Sequence, residues 1–222
     1  MEEGDFIRID YVGRISENGE IFDLTKEDVA KEKEIYNPEF KYGPIPVILG
    51  AHHIMKGLEN ELIKMEVGKS KKIIIIPENA LGERKSELIR LLPLAEFKKR
   101  EIDPFPGMPI MESGMRGRVL SVSGGRVRVD FNHPLAGKTL EYDIEIKEKI
   151  TNINEKILAI LELFLKFEKD DINLKIEKET LEIKIGKNQD VPKQVKKMIA
   201  DNIIKWIKTI KKVIFIEEFQ SE

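Results

Sequence analysis

The chain has 222 residues, of which 41% are hydrophobic and 35% charged, with a formal charge of −2 and no cysteine. The apolar share supports a packed core rather than global disorder, and the missing cysteines exclude disulfides, a thiol nucleophile and cysteine-ligated metal. The charge is uneven: residues 84–130 hold 10 basic and 6 acidic side chains and residues 151–222 hold 14 and 13, neither basic enough to imply nucleic acid by itself.

This length suits two or three modules. Lysine, glutamate and isoleucine dominate, a hint of heat adaptation. There is no apolar run of membrane-spanning length, and the acidic start Met1-Glu2-Glu3-Gly4-Asp5 lacks a signal-peptide pattern, so a cytoplasmic protein is expected. Residues 6–15 alternate as a strand, Asn18-Gly19 marks a hairpin turn, and Ile21-Phe22 begins the return strand. Residues 25–36 are expected to be helical, with Thr25 as N-cap, before Asn37-Pro38 and Gly43-Pro44-Ile45-Pro46 break the chain. A short strand over 46–50 precedes a helix over 54–64, whose Ile54, Leu58, Leu62 and Met65 share a face. Residues 71–77 read as a buried strand.

Residues 84–130 look like an inserted domain bounded by glycine and proline loops. They contain a helix around 94–100, a proline-rich link over 103–109, and a hairpin of 114–122 and 126–131 joined by Ser123-Gly124-Gly125. Residues 139–149 form another alternating strand. Then come an amphipathic helix over 152–168 opened by Asn152, a hairpin of 172–176 and 181–185, a second helix opened by Asp190-Val191-Pro192, and a last strand over 213–219. The first of these helices is apolar over a wide arc (Ile153, Ile157, Leu158, Ile160, Leu161, Phe164, Leu165, Phe167), more than one sheet face covers.

Several short runs then fall into a known order. They are Asp10-Tyr11-Val12-Gly13, Asn18-Gly19-Glu20-Ile21-Phe22-Asp23, Pro46-Val47-Ile48-Leu49-Gly50, Ile54-Met55-Lys56-Gly57-Leu58-Glu59, Met65-Glu66-Val67-Gly68-Lys69, Ala80-Leu81-Gly82 and Tyr142-Asp143-Ile144-Glu145. Through them the first 150 residues resemble the FKBP family of peptidyl-prolyl cis/trans isomerases. The insert, with Gly114-Met115-Arg116-Gly117 and Asn132-His133-Pro134-Leu135-Ala136-Gly137, is similar to SlyD-type members, and the C-terminal module to the long archaeal form. The histidine-rich tail of SlyD-type members is missing, as the histidines are His52, His53 and His133, so nickel handling is not carried over.

The resemblance implies an α+β fold: an antiparallel sheet wrapped on a short helix (1–83 plus 131–150), a mainly-β flap domain (84–130) and a C-terminal αββαβ domain (151–222). It implies catalysis by Tyr11, Phe22, Asp23, Met55, Leu58 and Tyr142, and substrate contacts from Ile45, Val47, Ile54, Leu81, His133 and Leu135. Leu58 and Val47 would hold the prolyl ring, the Met55 N–H a substrate carbonyl, and Tyr11 would pair with Asp23. Rotation of an X-Pro bond crosses a barrier of about 20 kcal/mol and needs no nucleophile or cofactor, only an environment that favours the twisted, less polar amide. Leu58, Leu81, Ile45 and Val47 stand where many members carry aromatic residues, which argues against tight macrolide binding and leaves prolyl turnover.

In the insert, Phe97, Phe105, Met108, Met111 and Met115 are either a small core or an adaptable surface for unfolded clients. Adjacent His52 and His53 lack carboxylate partners at defined spacing, so no metal is expected. The expected partners are unfolded or nascent chains with X-Pro bonds and a second copy of this chain through 151–222, with no membrane. The rival readings are a nonenzymatic holdase and an RNA- or ribosome-binding module. Neither the Gly-Arg-rich hairpin nor the lysine face of 193–212 carries an aromatic stacking cluster, which disfavours nucleic acid.

Overall fold

The computed structural model describes residues 1–167, 171–186 and 191–217. Its strands and helices, in chain order, are β1 (Phe6–Ile15), β2 (Ile21–Leu24), α1 (Glu27–Glu32), β3 (Ile45–Ile48), α2 (Lys56–Leu62), β4 (Ser70–Ile75), β5 (Ile89–Pro93), α3 (Leu94–Lys99), β6 (Pro109–Glu112), β7 (Met115–Ser123), β8 (Arg126–Asp130), β9 (Leu140–Ile150), α4 (Ile153–Glu162), β10 (Ile172–Glu177), β11 (Thr180–Ile185), α5 (Lys193–Trp206) and β12 (Lys212–Ile216). The fold is α+β, with three sheets and short helices among the described residues. None of these helices is long and apolar enough to cross a membrane.

Two compact units emerge. The first comprises Met1–Gly13, Ile21–Ile73 and Tyr142–Glu222; the second comprises Arg14–Glu20 and Ile74–Glu141. Most of a five-stranded sheet, ordered β2-β1-β9-β4 with β3 paired to β1, belongs to the first unit. β3 runs antiparallel to β1 with Phe6 opposite Ile48, Ile7 opposite Val47, Arg8 opposite Pro46 and Ile9 opposite Ile45. Opposed residues share a face, and faces alternate along a strand. One face therefore carries Ile7, Ile9, Val47 and Ile45, and continues along β1 to Tyr11 and Gly13. The other carries Phe6, Ile48, Arg8 and Pro46.

That second face meets the C-terminal elements. Phe6, Ile48 and Ile150 share one core with Ile157, Ile160 and Leu161 of α4, Leu181 and Ile183 of β11, and Ile199 and Ile203 of α5. β10 and β11 are antiparallel, and β12 returns parallel to β11 after α5. Of the wide apolar arc, Ile157, Ile160, Leu161 and Phe167 are buried, while Ile153, Leu158, Phe164 and Leu165 are partly buried. Arg8 caps the junction: its guanidinium donates to both Glu162 oxygens, at 2.8 and 3.0 Å, and to the Pro44 carbonyl at 3.2 Å. The pairing with Glu162, helped by Glu148 and opposed by burial, raises the Arg8 pKa further.

In the second unit a four-stranded sheet, ordered β5-β8-β7-β6, packs Val119, Val127, Val129 and Phe131 against Phe97 of α3. The β7–β8 hairpin is the one expected, and β5 and β6 flank it as strands that the expectation lacks. Each of those carries a proline at one end, which weakens the strand signal and suits an edge position.

Other expectations need correction. The first helix is shorter than 25–36, ending before Glu34, whose φ is +57°. Thr25 is not its N-cap, because its side chain is taken up by β1. β4 is not wholly buried. It lies at the sheet edge, with Ile73 and Ile75 inside but Ile74 62% exposed. α4 ends at Glu162 rather than 168, and Asn152 caps it by accepting from the Asn154 and Glu155 N–H groups. Expectations for Glu168, Asp190 and residues 218–219 fall outside the described residues.

The Arg8–Glu162 pair yields a stability prediction. Glu162→Ala leaves a largely enclosed guanidinium without its bidentate acceptor, and should lower the unfolding free energy by about 1–2 kcal/mol in urea titration. Lys31→Ala, which breaks the exposed Glu27–Lys31 pair, should produce no measurable change. Equal effects from the two substitutions would show that Arg8 does not hold the junction.

Candidate active site

The odd-numbered face of β1 supports a cluster of aromatic rings. The Tyr11 hydroxyl donates to Asp23 Oδ2 at 2.6 Å. The Tyr11 ring tilts against Tyr142 of β9, with centroids 5.7 Å apart and planes at 57°. Phe22 of β2 meets Tyr142 nearly edge-on, at 5.7 Å and 81°, a favourable aromatic geometry. Gly13 makes this approach possible. A Cβ there would stand 2.8 Å from Phe22 Cζ and 3.1 Å from Tyr142 Cε1, inside van der Waals contact.

A buried threonine sets the register of these rings. The Tyr11 N–H donates to Thr25 Oγ1 at 2.8 Å, the Thr25 N–H returns to the Tyr11 carbonyl at 3.0 Å, and the Thr25 hydroxyl donates to Asp10 Oδ1 at 2.7 Å. The end of β2 is thereby pinned to β1, which brings Asp23 within reach of Tyr11. Burial, reinforced by the hydrogen bond to Asp23, pushes the Tyr11 hydroxyl pKa well above its ordinary value. Burial followed by the Asp23 charge does the same to Tyr142. Both phenols stay protonated, and that of Tyr11 donates to Asp23.

The aliphatic residues follow from the strand register. Val47, 2% exposed, and the half-buried Ile45 share the sheet face of Tyr11. Leu58 is buried on α2, and Ile54 and Met55 are half-buried in the turn before it. Met55 is the N-cap residue of α2, and its carbonyl accepts the Glu59 N–H at 3.0 Å. Among the described residues no protein group accepts the Met55 N–H.

Glu59, the last residue of the Ile54–Glu59 motif, has a structural task that the motif does not reveal. It is 5% exposed, accepts the Gly50 N–H at 2.8 Å, and lies 3.0 Å from His52 Nδ1. Gly50 and His52 adopt φ values of +85° and +56°, so a buried carboxylate clamps a constrained turn that delivers Ile54 and Met55. An acid within an ordinary helix reads as a surface residue, and the adjacent histidines were the available hint. Desolvation by its neighbours pushes the His53 pKa down, against the pull of Glu59.

Leu81, His133 and Leu135 belong to the second unit. Leu81 follows a short 3-10 turn and is 39% exposed, and His133 Nδ1 accepts the Leu135 N–H at 3.1 Å. The neck of residues 84–130 is tied there too: Asn132 exchanges two 2.9 Å hydrogen bonds with the Lys85 backbone, and Gly137 donates to Gly82 at 2.8 Å. Of the five insert residues singled out in sequence, Phe97 is core, and Met108 and Met115 pack partly against that core. Phe105 and Met111 are 60% and 56% exposed.

Residues 90–135 match the family described as FKBP26, IF domain, and residues 153–220 match the one described as FKBP26 C-terminal. The short-type peptidyl-prolyl cis-trans isomerase of Methanocaldococcus jannaschii is 37% identical over 148 residues, which cover 67% of this chain and 93% of that protein. The chain belongs to the FKBP-type peptidyl-prolyl cis-trans isomerases. The FKBP-type isomerase SlyD of Helicobacter pylori is 32% identical over 121 residues, 52% of this chain and 64% of that one. The FKBP-type 16 kDa isomerase of Escherichia coli is 35% identical over 104 residues, 45% of this chain and 70% of that one. The protein is accordingly a rotamase, and its FKBP motif residues from β1, β2 and β9 are those that form the aromatic cluster.

The raised phenol pKa values lead to a pH prediction. In a titration of tyrosinate absorbance, Tyr11→Phe and Tyr142→Phe should leave the ionisation step near pH ~10 unchanged in amplitude, because neither phenol ionises there while the chain is folded. Loss of part of that step in either variant would contradict the enclosure of the site.

Proposed function

We propose that the aromatic cluster and its neighbouring aliphatic residues rotate X-Pro bonds in unfolded or nascent proteins. The observation that carries this reading is the Tyr11–Asp23 hydrogen bond held beside Tyr142 and Phe22, on the sheet face that also bears Val47 and Ile45. A planar prolyl amide is stabilised by resonance and by water. A dry apolar wall removes the water and favours the twisted amide, whose nitrogen has lost its share of the π system. Each ~1.4 kcal/mol of differential stabilisation is worth about tenfold in rate.

In this reading Val47 and Leu58 grip the prolyl ring, and Phe22 and Tyr142 form the wall. The Met55 N–H donates to a substrate carbonyl. Asp23, held by Tyr11, polarises the site. Ile45 and Ile54 extend the apolar lining. Leu81, His133 and Leu135 are assigned to substrate contact from the family resemblance alone.

Residues 1–83 with 131–150 then constitute the isomerase domain, 84–130 an inserted chaperone domain that retains clients, and 151–222 a C-terminal domain that buttresses β3. A client held by the insert raises the local concentration of its prolyl bonds for the isomerase. Phe6 and Ile48 cover part of the α4 arc, and a second copy of this chain through residues 151–222 is the further partner of this reading. We place the protein in the cytoplasm.

Two assays test this reading together: turnover of a short proline peptide, and refolding of a protein limited by proline isomerisation. Gly13→Ala should lower both by about tenfold or more, because the new methyl displaces Phe22 and Tyr142. Replacing residues 84–130 by a short glycine linker should spare peptide turnover and slow refolding. Unaltered turnover in Gly13→Ala would remove the ring cluster from the mechanism, and equal loss on both substrates after the replacement would remove the insert's separate role.

A further inference from the structure

The four-stranded sheet of the second unit buries one face and leaves the other without partner among the described residues. β8 opposes β7 with Arg126 facing Ser123 and Arg128 facing Ser121, while Val127 and Val129 face Val122 and Val119 of the core. A register shift between Val119 and Ser121 keeps the valines inward on both sides of it. Arg118 lies opposite Asp130 and Arg116 opposite Met111 on this same outer face. On the outer strands, Leu91 of β5 lies opposite Arg128. The result is a basic track along the two central strands, with an apolar residue on each flanking strand. All four arginines are exposed. Among the described residues none of them makes an ion pair or a side-chain hydrogen bond, whereas Asp130, the acid in their midst, is occupied by Arg84. Leu91 and Met111 are 59% and 56% exposed.

We propose that this outer face binds client segments that combine acidic and apolar residues, and so gives the chaperone insert a preference by charge. The inference rests on the reading of residues 84–130 as client-binding and adds the class of client. Guanidinium groups pair bidentately with carboxylates. Successive outward residues on a strand stand about 6.8 Å apart, and neighbouring strands about 4.8 Å apart, which matches the side-chain spacing of an extended peptide. Leu91 and Met111 then take the segment's apolar side chains, with methionine adapting to varied shapes. A nucleic acid fits less well. Single strands are held by stacking on aromatic rings, and no aromatic residue stands on the strands of this face. Phe97 and Phe131 lie in the core on the opposite side.

The test uses the full chain and two labelled, proline-free, unfolded peptides of equal length and apolar content, one carrying glutamates and the other lysines. Binding is read by fluorescence anisotropy at low and moderate salt, with a single-stranded polyuridine oligonucleotide as a third probe. The acidic peptide should bind about tenfold tighter than the basic one at low salt, with the gap narrowing as salt screens it. Arg126→Gln with Arg128→Gln should remove most of that preference, Arg126→Lys with Arg128→Lys should keep part of it, and both variants should turn over a short proline peptide normally. Equal binding of the two peptides, or a preference that survives the double glutamine variant, overturns this inference and leaves the client-binding reading in place. Binding of neither peptide overturns both. Tight, salt-sensitive oligonucleotide binding that the glutamine variant loses, with no discrimination between peptides, assigns the face to nucleic acid instead.

Discussion

Strand β3 is four residues long, and three of them, Pro46, Val47 and Ile48, are buried. Val47 lies on the sheet face of the aromatic cluster, and Ile48 belongs to the core built by α4, β11 and α5. A single antiparallel pairing with β1 therefore serves two functions. A shift of one residue in that register would exchange the faces, placing Ile48 at the site and Val47 in the C-terminal core. The Arg8 bond to the Pro44 carbonyl at 3.2 Å and the acceptance of the Leu49 N–H by the Asp5 carbonyl at 3.0 Å hold the register at its two ends. Burying an isoleucine is worth roughly 1.5–3 kcal/mol, so Phe6 and Ile48 together supply enough to hold so short a strand in place.

The chemistry depends on this rigidity. Prolyl rotation offers no covalent handle, and rate must come from how well a fixed environment fits a twisted amide better than a planar one. Gly13 allows Phe22 and Tyr142 to close on β1, Thr25 sets the depth of Tyr11, and Asp23 fixes the Tyr11 hydroxyl. Glu59 does the same for the turn that carries Met55. In the proposed mechanism none of these groups reacts, and each removes a freedom that would let the wall relax around the ground state.

Much of this could be read from the sequence, for identifiable reasons. The alternation of β1 and β9, the Asn18-Gly19 turn with Gly19 at a φ of +71°, and the Asn152 cap are local signals, and local physics decides them. The pairing of Tyr11 with Asp23 was legible through the family motif, not through spacing. Long-range competition was not legible. Thr25 has the chemistry of a helix cap but spends its hydroxyl on Asp10, fifteen residues away. The isoleucine run of β4 promises burial, yet an edge strand of this sheet exposes alternate residues. Glu59 looks like a surface acid until the turn at Gly50 and His52 folds over it. The breadth of α4's apolar arc was plain from its residues, but its partners, Phe6 and Ile48, lie more than a hundred positions earlier.

The C-terminal core supports the proposed active-site strand through β3. Amide hydrogen exchange in an Ile160→Ala variant tests it directly. Ile160 is fully buried, and its truncation should weaken that core by about 2–5 kcal/mol. The amides of Val47, Ile48 and Leu49 should then exchange at least about tenfold faster, with Val127 and Val129 of the other unit unchanged. Unchanged protection across Val47–Leu49, with exchange accelerated only among residues 153–216, would contradict it.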